Sequence, residues 1–336
     1  MDPASTVEAT VRAALAAVQL QAEGSVGLGD ETLDSSLARS HPLRFIAAFQ
    51  QLFYSRCYAR SAAPASGASV FLPDPELVRG LSRSNASTSH WDHGWRVVRL
   101  HPGGWADVVK GERVRRLTVA QLLPAGPSGV APGSEVLLPA PSQALDVQPT
   151  YYFAFGDVLG CDLDEVALVR LYFHVRADAA PLLLRWLSET MNRYQVPFRM
   201  KLPDRPALYQ RADAAVLYCA RRYAGIVLRL IGGMPEGVRE SLSDLPPLFT
   251  RPLGPGMGFA EDPWTGESFG MHRSRLVAEA MLALLARGSP SGEAEKWAAM
   301  EARFAAEGLS LARPWLNPGS VDPPGIAPEP GSRLHG

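Results

Sequence analysis

Arg170-Leu171-Tyr172-Phe173-His174-Val175-Arg176 is the stretch from which the fold of this chain is read. Val169, Leu171, Phe173 and Val175 alternate with Arg170, Tyr172, His174 and Arg176, the period-2 pattern of a β-strand. Such a strand buries one apolar face and turns two guanidiniums, a phenol and an imidazole the other way. Pro197-Phe198-Arg199-Met200-Lys201-Leu202 repeats the pattern, with Phe198, Met200 and Leu202 on one side and Arg199 and Lys201 on the other. A third run, Arg211-Ala212-Asp213-Ala214-Ala215-Val216-Leu217-Tyr218-Cys219, begins with another arginine and becomes apolar. Set in one sheet, these strands gather His174, Lys201, Tyr218 and several arginines on one face. That face is cationic and carries an acid and a base, which suits a phosphorylated substrate.

Between the first two strands, Leu182, Leu183, Trp186, Leu187, Thr190, Met191 and Tyr194 follow helical spacing, with Asp178 as the cap. This strand–helix–strand unit is compatible with a crossover connection, although sequence leaves the strand direction open. Further helices are predicted over 221–232, 235–242, 274–287 and 293–308, with a Pro/Gly loop over 246–258. Upstream, helices are predicted over 5–21, 41–60 and within 73–85, with a small-residue loop from Ser61 to Ser69. Strands over 95–100, 105–109 and 113–119, joined by turns at His101-Pro102-Gly103-Gly104 and Lys110-Gly111-Glu112, make a β-meander. The expected architecture is α+β: an N-terminal helical and β-meander region (1–121), a Pro/Gly-rich connection (122–149), and a site-bearing region (150–312) with a mixed β-sheet and flanking helices. Residues 313–336, rich in Pro and Gly, read as a disordered tail.

Composition bounds the function classes. The 336 residues suffice for one large domain or two smaller ones, and 46% hydrophobic with 20% charged is ordinary for a soluble protein. A net charge of −1 offers no global field for nucleic acid or an anionic membrane. No run of about 18 apolar residues predicts a membrane span, and no secretory signal is evident. Cys57, Cys161 and Cys219 are scattered and read as reduced thiols. A cytoplasmic protein is expected. His90-Trp91-Asp92-His93 lacks a second ligand cluster, so no metal is expected. Gly254-Pro255-Gly256-Met257-Gly258 lacks the lysine and preceding strand of a nucleotide loop. Ser268 and Ser274 lie near His272 in sequence without a third group to complete a hydrolase triad. No cofactor is expected.

Several segments resemble the HopA-type effector family, found among type III effectors of plant-pathogenic bacteria and in gene clusters for class V lanthipeptides and thioamide peptides. The matching stretches are Arg170–Val175, Phe198-Arg199-Met200-Lys201, Arg211–Tyr218, Pro247-Leu248-Phe249-Thr250 and Gly256–Pro263. The clearest is Glu267-Ser268-Phe269-Gly270-Met271-His272-Arg273, with a fainter echo in Ser84-Asn85-Ala86-Ser87 and Gly94-Trp95. Together they span roughly residues 41–290 in the family's order. The resemblance implies a phosphoserine/phosphothreonine lyase. A kinase-like partner phosphorylates a precursor peptide, the lyase eliminates phosphate to leave dehydroalanine or dehydrobutyrine, and a cyclase is a further partner. More distantly, the central strands are similar to phosphothreonine lyases of enteric pathogens, which use a strand His as acid and a strand Lys as base. His174 and Lys201 match those roles. The same lyases place a lysine two residues before the His, where this chain has Tyr172.

β-Elimination needs a base for the Cα proton, an acid for the departing phosphate and fixed positive charge on the phosphoryl oxygens. Lys201 is the expected base, provided neighbouring arginines and burial lower its pKa from near 10.4. His174 is the expected acid. Arg170, Arg199, Arg211 and Arg273 are the expected phosphate ligands, and Tyr218 the residue that orients Lys201 or the phosphate. The expectation is therefore a cytoplasmic, metal-independent carbon–oxygen lyase whose N-terminal region contacts the precursor or the kinase. Two rivals stand beside it. One is a non-catalytic scaffold for a peptide and its kinase, which the Tyr172 departure favours. The other is an effector acting on host phosphoproteins, against which weighs the helix starting near residue 5, since it leaves little room for a disordered Ser-rich N-terminus.

Overall fold

The computed structural model describes residues 3–20, 25–61, 72–127, 129–287 and 292–323. In chain order, α1 (Pro3–Ala16) leads into a small antiparallel sheet of β1 (Val18–Leu20), β2 (Val26–Leu28) and β3 (Glu31–Leu33). α2 (Ser35–Ser40), α3 (Pro42–Phe53) and α4 (Pro75–Ser84) follow, the last capped by Asp74, whose carboxylate accepts from the Glu76 and Leu77 amides. Next come β4 (His90–His101), β5 (Trp105–Lys110), β6 (Arg113–Thr118), β7 (Leu123–Pro124), β8 (Glu135–Ala140), β9 (Gln143–Ala144) and β10 (Tyr151–Phe155). The remainder is α5 (Asp162–Val166), β11 (Leu168–Phe173), α6 (Ala180–Arg193), β12 (Arg199–Pro203), β13 (Ala215–Ala220), α7 (Ala224–Gly232), α8 (Glu236–Arg239), β14 (Arg251–Gly254), β15 (Met257–Glu261), α9 (Phe269–Ala286) and α10 (Glu293–Ala306).

The α+β class is as expected. Seven strands form the main sheet in the order β14-β15-β11-β13-β12-β10-β9, and all its hydrogen-bonded pairs are antiparallel where a mixed sheet was expected. The crossover through α6 nonetheless makes β11 and β12 point the same way, because β13 inserts antiparallel between them. Helix α6 starts with Ala179 at its N-cap and no side-chain cap, so Asp178 does not play that part.

Other expectations are corrected by packing. The predicted Pro/Gly loop over 246–258 holds the β14–β15 hairpin, where Gly258 lies so close to Thr250 that a Cβ would sit 2.3 Å from its hydroxyl. Its glycines serve close approach, so composition hid a strand. The expected 122–149 connection carries β8 in the meander sheet and β9 in the main sheet, and so couples the two. The meander sheet, ordered β6-β5-β4-β8-β7, has its own small core around Trp95, Val97, Val108 and Val136. By contrast α1, α3 and β2 share one continuous core with the main sheet, so the N-terminal helices belong to the site-bearing body. The tail is structured through residue 323: Trp315 is 1% exposed and its indole donates to Asp322 at 2.7 Å. The rest of the expected tail and the loop from 62 lie outside the described residues. Among described residues, no helix is long and apolar enough to cross a membrane.

Helix α3 buries Phe45, Phe49, Leu52 and Phe53 at helical spacing against α9, then loosens into a π-helical turn, Tyr54–Tyr58. Such turns re-aim side chains. Here Tyr58 meets Tyr172 edge-on, with ring centroids 6.4 Å apart, and Gly270 of α9 leaves the space its ring occupies. A Cβ at Gly270 would lie 2.2 Å from the Tyr58 ring. Gly270→Ala is accordingly expected to destabilise the fold by about 1–3 kcal/mol, as overpacking does. Urea unfolding measures this, and unchanged stability would show that the ring yields freely.

Candidate active site

The register of the main sheet builds the site. Arg170 on β11 pairs with Tyr218 on β13, which pairs with Arg199 on β12. One step along, Tyr172 pairs with Val216, Val216 with Lys201, and Lys201 with Phe153 on β10. Side chains alternate between faces, so these two rows, with Tyr151, share one face. Met200, Leu202, Leu171 and Leu217 occupy the other and are fully buried. The period-2 reading therefore holds for Arg170, Tyr218, Arg199 and Lys201, which the structure brings together.

Charge on this face is partly paired. Arg170 forms an ion pair with Asp262 just after β15. Arg211, before β13, grips Asp213 with Nε at 2.9 Å and Nη2 at 3.0 Å, and Nη2 also donates to the Tyr54 hydroxyl at 2.6 Å. Tyr54 in turn donates to Asp213 at 2.8 Å. Burial alone would push the Asp213 carboxyl up, but Arg211, Tyr54 and Lys201 hold it below the ordinary carboxylate value. Four cations (Arg170, Arg199, Lys201, Arg211) against two carboxylates (Asp213, Asp262) leave a surplus of two positive charges. That surplus matches a phosphate dianion.

Lys201 places its ammonium 3.7 Å from the centroid of the Tyr151 ring. Burial brings its pKa down to about 8, with Arg170 and Arg211 pushing the same way and Asp213 opposing. Near pH 7 about a tenth of such a lysine is neutral, against well under a thousandth at its ordinary value. Tyr218, 9% exposed, lies under two guanidiniums, Arg199 at 4.8 Å and Arg170 at 5.2 Å from its ring. Burial raises its pKa, so the phenol keeps its proton.

His174 falls just past the end of β11. Its amide donates to Gly256 (2.8 Å) and its carbonyl accepts from Ser243 (2.8 Å), so the strand ends at Phe173, short of the Val175 and Arg176 that the alternation includes. Nδ1 lies 3.1 Å from the Leu245 carbonyl, and a carbonyl can only accept, so Nδ1 carries the proton and Nε2 is left for chemistry. Burial lowers its pKa, Leu245 and Asp213 oppose that shift, and Arg60 reinforces it.

Arg273 stands apart from the group. It is 0% exposed, and its guanidinium donates to the Pro314 and Leu316 carbonyls and contacts His272 Nδ1 at 2.7 Å. It anchors the C-terminal segment and cannot reach a ligand on the open face. Tyr172 is 2% exposed between Tyr58 and Phe269, so nothing at that position grips an anion. Asp92 of the His90–His93 stretch accepts from the Trp95 indole at 2.7 Å and from Lys110 at 2.5 Å. Among described residues, no group of three His, Cys, Asp or Glu is disposed to hold a metal.

Sequence reasoning missed Tyr54, Tyr151, Asp213 and Asp262. Only Asp213 had a local signal, the Arg-x-Asp spacing that lets one loop close its own ion pair. The others arrive from distant segments.

A family model described as the HopA1 effector protein family matches residues 142–316, just over half the chain. Two solved structures are similar to it. One is the effector protein from Pseudomonas syringae pv. tomato strain DC3000, 14% identical, TM-score 0.46, covering 84% of this chain and 99% of that one. The other is the effector protein from Pseudomonas syringae pv. syringae strain 61, 13% identical, TM-score 0.41, covering 85% and 99%. No curated protein matches the chain.

Because the Asp213 charge supports the Lys201 ammonium, Asp213→Asn is expected to move Lys201 further down from about 8. The pH midpoint of Lys201 acylation, followed by peptide mass mapping, measures the change. A midpoint that rises would exclude Asp213 as the opposing charge.

Proposed function

The chain belongs to the HopA1 effector protein family, and on that premise we propose that it is a carbon–oxygen lyase that β-eliminates phosphate from phosphoserine or phosphothreonine. The observation that supports this reading best is Lys201. It is a half-buried lysine with a lowered pKa, on a sheet face where three guanidiniums outnumber two carboxylates and leave positive charge for phosphoryl oxygens.

In this reading Lys201 Nζ takes the Cα proton, and the C–H electron pair becomes the Cα=Cβ bond. The Cβ–O bond breaks toward phosphate, and His174 delivers a proton from Nε2 to the leaving oxygen. Arg199, free of carboxylate partners among the described residues, contacts the phosphoryl oxygens first, with Arg170 and Arg211 beside it. Tyr218 holds the two flanking guanidiniums in place through its ring. The substrate is a phosphorylated precursor peptide, a kinase-like protein supplies the phosphate, and a cyclase consumes the dehydroamino acid. The family's name favours a second setting for the same chemistry, an effector acting on phosphoproteins of a host. A phosphoprotein and a short precursor peptide offered side by side separate the two. A scaffold role would leave both intact.

Protonation sets the pH profile. Below the lowered His174 value the Lys201–His174 pair holds two protons, above about 8 it holds none, and elimination requires one. A bell-shaped kcat/KM with its alkaline limb near 8 is expected. Lys201→Ala should lower elimination by about 10²–10⁴-fold, the usual worth of a general base, while phosphopeptide binding persists. Mass spectrometry of a phosphothreonine peptide, with loss of phosphoric acid as the readout, tests both. Undiminished elimination by Lys201→Ala would remove it as the base.

A further inference from the structure

The phosphate-binding face does not stop at Arg199. Beyond it, toward the start of β11, the end of β13 and the start of β12, a cavity of about 380 Å³ opens between the main sheet and the meander. Phe155, Arg199, Tyr218, Ala220 and Leu168 form its floor, and these are residues of the same sheet face as Lys201. Its roof is meander: Trp95, Leu117 and Leu138, with Ala140 at one side. Leu159, 42% exposed, also lines it. The volume lies in the range of roughly 300–1,000 Å³ typical of ligand clefts, and the walls are mainly apolar.

Two shared residues tie this cavity to the charged site. Arg199 and Tyr218 line the cavity and also belong to the cationic row, so cavity and row share two side chains. Strands rise about 3.3 Å per residue, which puts Arg199 about 7 Å from Lys201 along β12, and the cavity begins there. An extended peptide advances by a similar amount per residue. A phosphoresidue with its Cα at Lys201 thus carries its neighbours two or three positions away over Arg199 and into the cavity.

We propose that this cavity is a specificity pocket for a bulky apolar side chain, Leu or Phe in kind, two or three residues from the phosphorylated Ser or Thr of a peptide substrate. The assignment rests on the lyase reading for what sits at Lys201, and on the continuity of one sheet face for the rest. The meander then roofs the pocket and thereby chooses the peptide. Asp92 helps keep that roof in place, because its carboxylate ties Trp95 to Lys110 across β4 and β5.

The test compares phosphothreonine peptides that carry Leu, or Ala, at the positions two and three residues to either side of phosphothreonine. Binding is read by fluorescence anisotropy and phosphate loss by mass spectrometry, each on the full chain. The Leu peptide whose chain direction suits the site should exceed its Ala counterpart about tenfold or more in affinity, as hydrophobic pockets commonly discriminate. Leu159→Glu, at an exposed position, and Ala140→Leu, which fills space, should each bring that ratio toward one while circular dichroism stays unchanged. Equal binding of the Leu and Ala peptides by the unaltered chain overturns the proposal, as does a ratio that survives both substitutions. The lyase reading fails separately: tighter binding of the Leu peptide without phosphate loss from any peptide leaves the pocket standing and removes the chemistry.

Discussion

The Arg211–Asp213 ion pair, closed by the Tyr54 hydroxyl, is the interaction on which the site depends. It joins the π-helical turn at the end of α3 to the loop that enters β13, two segments more than 150 residues apart. The Ala212 amide donates to the Ala59 carbonyl at 2.7 Å and reinforces the same junction. One carboxylate thereby aligns a guanidinium, fixes a phenol and supplies the negative charge that keeps Lys201 from falling further. A buried charge without partners is strongly unfavourable, so each member of this group is held by the others.

Electrostatics on the sheet face follow from partial neutralisation. Three cations in two adjacent rows, with Arg211 beside them, would repel each other if left bare. Asp262 and Asp213 offset half of them, and aromatic rings under Arg199, Arg170 and Lys201 soften the remainder. What remains is a surplus of positive charge on the sheet face. Burial of Lys201 beside that surplus is what brings its pKa down to about 8.

Architecture divides the labour between two cores. The larger includes the N-terminal helices, the main sheet and the C-terminal segment, which Arg273 ties down through the Pro314 and Leu316 carbonyls. The smaller belongs to the meander, which meets the larger body through β8 and β9 and across the apolar cavity. The cationic row thus sits on the main sheet, and the apolar cavity lies between that sheet and the meander.

Alternation by itself puts Arg199 and Lys201 on one side of β12 and Arg170 opposite the apolar side of β11, because side-chain direction in a strand is set locally. Helical spacing likewise marks α3, α6 and α9, and turn residues mark the meander. Other features are decisions of tertiary structure. That Arg273 is a buried anchor, that the Pro/Gly-rich 246–258 stretch is a hairpin, and that 314–317 is buried depend on neighbours far away in the chain. The partners of Lys201 come from β10, from the β13 approach and from the turn after α3. A residue's type shows what chemistry it can do, but its charge state and partners depend on which distant segments exclude water around it. That is why the lysine was legible in the sequence and its base-like pKa was not.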